Sequence, residues 1–261
     1  MANTVYDNFY LANEVEDQFN SHLDLQQFCT VDNSLEGVAG MKYVVNAYRA
    51  TNGTEKLTVG QGNSKSIEVS YTPTEYEIAL AQNRFTWNDE HAMKDPMLVP
   101  VGMKHAGTDM FNTVQGDIYS EFKKTGLTVP CTAFDFDAFV DAVAALDLEA
   151  DEDATIFAFV CPKDKAKVRK ALKDDLKYVE AYAKTGYIGT VAGVNLYTKK
   201  DATEGTIIVA TKEAVTIFNK TGVETELDRD ANTRVNDAFS RKYYVVALTN
   251  ESKAIRLTIG A

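Results

Sequence analysis

Apolar residues recur at helical spacing near the start of the chain: Val5, Phe9, Ala12, Val15, Phe19, Leu23 and Phe28 share one face over residues 5–28. Asp7, Glu14, Glu16, Asp17 and Asp24 occupy the other face, so an amphipathic helix is predicted. From Lys42 the period changes. Tyr43, Val45, Ala47 and Tyr48 form a strand-like run, and Ile67, Val69 and Tyr71 alternate strictly with Ser66, Glu68, Ser70 and Thr72. The intervening ATNGTEKLTVGQGNSKS is rich in turn-forming residues, which predicts an extended hairpin with a long polar tip. Such a hairpin is marginal alone in water, so its apolar side chains require another surface.

Residues 95–124 predict a long helix opening at Asp95-Pro96, with Met103, Ala106, Met110, Val114, Ile118 and Phe122 as its apolar stripe. At ~1.5 Å per residue it would be about 40 Å long. Gly102, Gly107 and Gly116 weaken it, and they suggest close approach of another backbone. Gly126 and Pro130 mark a break. Phe136, Phe139, Val140, Val143, Ala144 and Leu146 predict a second helix, capped by Asp135 or Asp137. A short apolar strand at Thr155–Cys161 and a helix over Lys163–Asp175 follow. Beyond glycines 186, 189 and 193, strands are expected at 194–197, 206–210, 214–218, 223–227, 243–249 and 255–259. The mix is α+β.

Composition narrows the function. Among 261 residues, 45% are hydrophobic, enough for a core. A net charge of −11 argues against a free-standing DNA-binding module and suits a wall that encloses nucleic acid without gripping it. No apolar run reaches the ~20 residues of a membrane helix. Cys29, Cys131 and Cys161 lack a CxxC spacing, and His22, His91 and His105 lack metal-ligand spacing. VGQGNSK at 59–65 fails the phosphate-loop templates. Asp135, Asp137 and Asp141 fail the calcium-loop template, because Val140 and Leu146 stand where glycine and a carboxylate are needed. The basic run Lys163, Lys165, Lys167, Arg169, Lys170 and Lys173 reads as a solvated helix face, with a DNA contact as the weaker reading. No catalytic residue, cofactor or metal is expected.

Several segments, in their order, resemble one family. They are TVYDNFYLANEVEDQF near the start, KSIEVSYTPTEYEI in the hairpin, and DDLKYVEAYAKTGYIGTVAGVNLYTKK, VATKEAVTIF and ELDRDANTRVNDAFSRKYYVVAL further on. Over nearly its whole length the chain resembles the major capsid proteins of tailed bacteriophages, which have the Hong Kong 97-like fold. The resemblance implies an N-terminal arm at 1–39 and an extended loop hairpin at 40–80. It implies a peripheral domain at 81–129 and 206–261 around a long spine helix, and an axial domain at 130–205. Gly186, Gly189 and Gly193 would belong to an axial-domain loop. It further implies pentamers and hexamers of identical subunits, closing into an icosahedral shell around double-stranded DNA in the virion after assembly in the bacterial cytoplasm. Separate scaffold, portal and decoration proteins are the expected partners. No lysine–asparagine cross-link pair is matched. Rim contacts between subunits are expected from Arg49, Glu55, Lys56 and Lys65 on the hairpin, and from Arg229, Asp230, Arg234 and Arg241, where charges of both signs interleave. Two rival readings stand beside this one: an encapsulin-type nanocompartment shell, and a small α/β enzyme using Cys131 or Cys161.

Overall fold

A computed structural model describes residues 23–146, 148, 155–173 and 189–259. The chain enters through a 3-10 turn at Leu25–Phe28, N-capped by Asp24, and runs into strand β1 (Thr30–Asp32). The expected helix over 5–28 is thus corrected at its C-terminal end. Leu25 and Phe28 are instead anchors buried against the core, and the remainder lies outside the described residues. β2 (Lys42–Ala50) and β3 (Val69–Glu77) pair antiparallel as the predicted hairpin. β4 (Ala79–Asn88) follows, then a short helix α1 (Asp89–Lys94) and the long α2 (Leu98–Phe122). Sequence reading overlooked β4 and α1. α2 starts after Pro96, with the Asp95 carboxylate accepting from the Met97 N–H at 3.0 Å.

The rest comprises β5 (Thr128–Cys131), α3 (Phe136–Ala145), β6 (Ile156–Val160), α4 (Pro162–Ala171), β7 (Thr190–Val191), β8 (Val194–Thr198), β9 (Thr206–Thr211), β10 (Val215–Asn219), β11 (Glu224–Asp230), β12 (Val235–Leu248) and β13 (Ala254–Ile259). One sheet has the order β1-β10-β12-β11, with β4 also paired to β12. The other has the order β5-β13-β9-β6-β8-β7. The expected break at Pro130 is a strand: β5 is an edge, where a residue lacking an N–H is tolerated. Asp135 caps α3 as predicted, accepting from the Ala138 N–H at 3.0 Å. Ala192 and Gly193, both at positive φ, form the two-residue turn between β7 and β8.

β6 explains the core. Its IFAFV run is buried throughout because both faces are covered. Phe157 and Phe159 face the C-terminal half of α2, where Val114, Ile118, Tyr119 and Phe122 meet Leu25 and Phe28. Ile156, Ala158 and Val160 face α3 and α4 through Phe139, Ala142, Val168 and Leu172. In this second sheet β9 pairs with β6, and β13 pairs with β9 on its far side. The C-terminal strands thus divide between the two sheets. β10 and β12 join the sheet of β4, whereas β9 and β13 complete the sheet of β6, whose buried central strand needs neighbours on both edges.

Gly102 sits under Phe85 of β4. A Cβ there would lie 2.1 Å from the ring, so this glycine admits a ring rather than a backbone. Gly107 and Gly116 face open space on this subunit. Gly102→Ala is expected to cost ~1–3 kcal/mol through overpacking, despite its better helix propensity. Urea unfolding checks this, with Gly107→Ala expected to be neutral or stabilising.

Candidate assembly surfaces

The hairpin has two unlike faces, set by the period of two along its strands. Tyr43, Val45 and Tyr76 point one way and pack on Phe218 and Val245 of the body, the Tyr43 and Phe218 rings lying 4.3 Å apart. The opposite face carries Val44, Tyr48, Val69 and Tyr71. Tyr48 and Tyr71 are directly paired in register, with ring centroids 6.1 Å apart. Tyr48 is 68% exposed, Tyr71 64% and Val69 63%. Four large apolar side chains on one open face exceed the scattered exposure normal for a monomer surface.

At the tip, Glu55 and Lys65 are brought together, their charged atoms 3.8 Å apart. The Glu55 carboxylate also accepts from the Ser64 backbone N–H and hydroxyl. Both residues therefore shape the tip itself before they can serve any neighbour. Lys56 is exposed. Arg49 lies on β2 opposite Ser70, and its side chain is outside the described part.

The C-terminal charges have partners inside the subunit. DRDANTRVNDAFSRK comprises the end of β11, a turn and the first half of β12. Arg229 binds Asp89 at 2.8 Å, Arg234 binds Glu90 at 3.0 Å, and Arg241 bridges Glu224 and Glu226. Asp230 accepts from the Asn232 N–H and the Thr233 hydroxyl, holding the β11–β12 turn. Sequence reading missed the closest of these links. Arg84 of β4 meets Asp237 with two hydrogen bonds of 2.9 and 2.7 Å, and Thr86 donates to the same carboxylate. These bonds hold the Asp237 carboxyl below the usual carboxylate range. The signal was present: Arg84 and Thr86 alternate with Phe85 and Trp87 as strand residues do. β11 itself is exposed throughout and forms one edge of its sheet, with Leu227 in solvent.

Elsewhere the chemistry is structural. Of the three glycines expected in one loop, Gly186 lies outside the described residues. The Gly189 carbonyl accepts from the Leu196 N–H, and Gly193 makes the β7–β8 turn. Burial pushes the Cys29 thiol up to about 12 and raises Cys131 and Cys161 as well, opposite to an activated nucleophile. Among the described residues no three His, Cys, Asp or Glu side chains are placed to hold a metal ion, and no helix is long and apolar enough to cross a membrane.

Part of the basic run on α4 is neutralised in place. Lys163 and Lys167 bind Glu204, and Lys167 also binds the fully buried Asp164 at 2.8 Å. Burial alone would raise the Asp164 carboxyl, but hydrogen bonds from Lys167, the Cys161 thiol and the Gly205 N–H outweigh it and hold the group below its ordinary value. Its stabilisation is therefore complete above the unfolded-state carboxyl value, about 4, and is lost as pH falls through the lower folded value. Asp164→Asn should cost ~1–3 kcal/mol at pH 7, discounted because Lys167 is half exposed. Unfolding curves should show the gap from the parent narrowing below about pH 4.

No protein-family model matches the chain. A protein named major capsid protein, from Staphylococcus phage phiMR11, is 26% identical over 96% of this chain and 92% of its own length. Among solved structures, the capsid of the cyanophage P-SCSP1u superposes with a TM-score of 0.76 at 13% identity, covering 95% of this chain and 91% of that one. A virus-like particle from Pyrococcus furiosus superposes with a TM-score of 0.59 at 15% identity, covering 90% of this chain and 92% of that one. The α+β fold is thus the Hong Kong 97-like fold, as the resemblance implied.

Proposed function

We propose that this chain is a major capsid protein of a tailed bacteriophage, the repeated subunit of an icosahedral shell. The observation that carries this reading is the open hairpin face. Among the described residues, Val44, Tyr48, Val69 and Tyr71 are left uncovered, and a copy of the same chain can cover them. Closed rings of five and six subunits, closing around double-stranded DNA without sequence-specific grip, accord with the net charge of −11. In this reading the hairpin is the extended loop and α2 the spine helix. The axial unit gains β9 beside β6 and β13 beyond it, while β4, β10, β11 and β12 form the peripheral sheet. Scaffold, portal and decoration proteins would be the partners, with assembly in the bacterial cytoplasm and the virion as destination. The work is done by interfaces rather than catalysis.

Fold alone does not separate a phage capsid from other shells, because a virus-like particle from Pyrococcus furiosus shares it. The named relative favours the phage reading over the encapsulin one. Negative-stain microscopy of the expressed chain should show closed shells, and virions purified from infected cells should hold nuclease-protected DNA. A strictly monomeric chain would overturn the shell role. Particles that carry only protein cargo would overturn the genome role.

A further inference from the structure

β2 and β3 form a sheet of two strands, with no ladder to the larger sheets among the described residues. The angle at which the hairpin leaves the body is therefore set at its root. Two attachments lie there. One is apolar, where Tyr43 packs on Phe218 near the end of β10. The other is polar. Two residues beyond Phe218, the Lys220 ammonium donates to the Val38 carbonyl at 2.9 Å and also to the Gly40 carbonyl. Both carbonyls belong to the strap that feeds β2. Lys220 is itself held in place, because its N–H and that of Thr221 both donate to the Tyr243 carbonyl of β12.

The strap has little else to fix it. Leu35 anchors its start, and the Met41 carbonyl accepts from the Ile78 N–H at its end. Residues 36–42 between and around them are exposed without a break. Gly40 stands at a φ of 114°, where a side chain is rarely tolerated, so the bend is made by a residue that packs on nothing. Hydrogen bonds from a charged donor are stronger than neutral ones. Leverage makes the angle matter: nine-residue strands at ~3.3 Å each hold the tip ~30 Å from the root, so a swing of ~10° moves it ~5 Å. Interface cores pack as densely as protein interiors and do not absorb such a displacement. We propose that Lys220 is a positioning residue for the hairpin, gripping the two strap carbonyls and so fixing the angle at which the open apolar face meets a second copy. The meeting with a copy rests on the capsid reading; the grip on the strap does not.

Pulsed electron paramagnetic resonance on the unassembled full chain tests the grip. Spin labels at Leu57→Cys on the tip and Glu213→Cys on the body, in a Cys131→Ala background, report the spread of hairpin angles. Lys220→Met keeps the stem and loses the donors, and should broaden the distance distribution at least about twofold, by the lever argument. Lys220→Arg should restore the parental width, and circular dichroism should be the same for all three chains. A second measurement needs no variant: Lys220 in the parent should react with acetic anhydride several-fold more slowly than the exposed Lys56. Electron microscopy then reads the consequence, with parental particles of one diameter and open or mixed-diameter assemblies from Lys220→Met that Lys220→Arg corrects. A parental distance distribution in Lys220→Met, or Lys220 as reactive as Lys56, would overturn the grip. A loosened hairpin that still builds uniform shells would overturn the positioning role. A parent chain that forms no particles would sink the capsid reading and leave the grip standing.

Discussion

The Tyr48→Ser/Val69→Ser/Tyr71→Ser variant should fold as a subunit and form no shells. All three side chains share the open face of the hairpin and touch no core cluster, so their loss removes little that holds the subunit together. At an interface the balance reverses. A buried aromatic anchor is typically worth ~2 kcal/mol or more, and each ~1.4 kcal/mol is a factor of ten in association. Two tyrosines alone should therefore weaken each contact by ~10²–10³-fold, and every subunit of a ring repeats the loss. Sedimentation velocity should show free subunits or small oligomers. Circular dichroism and a thermal midpoint close to the parent's should show the fold intact. Shells at parental yield would mean that another surface drives association.

The largest expected loss of stability is at Phe159. It is fully buried, and its ring lies 5.2–6.0 Å from those of Phe28, Tyr119, Phe122 and Phe157. Those neighbours come from the entry turn, α2 and β6, so a cavity there loosens three elements at once. Phe159→Ala should cost ~3–5 kcal/mol, a large share of a typical total of ~5–15 kcal/mol. Denaturant midpoints measure the effect. Leu80→Ala, on a half-exposed position of β4, is the control and should shift stability by under ~1 kcal/mol. Comparable losses at both positions would contradict the placement of the core.

Periodicity made some elements legible and left others hidden. The hairpin, α2, α3 and β6 each had enough length or contrast to declare themselves, and Asp135 announced its cap. β1, β5 and α1 were too short for any period to be counted. β4 follows β3 after one residue, so the two read as one run. The first half of β12 was hidden because its interleaved charges, several of which bind one another or residues of β4 and α1, break the apolar alternation that marks a strand.

The linear order of residues was sufficient for the α+β class, the absence of catalytic spacing, the resemblance to capsid subunits and the extended hairpin. All of these depend on local composition and on spacings of two to four residues. Only the folded chain decided that Arg229, Arg234 and Arg241 pair within the subunit, that β9 and β13 join the sheet of β6, and that one buried oxygen of Glu121 has no donor among the described residues. Those facts join residues up to more than a hundred positions apart. A charge or a strand edge does not encode its distant partner in its own neighbourhood; the partner is selected when the whole core closes.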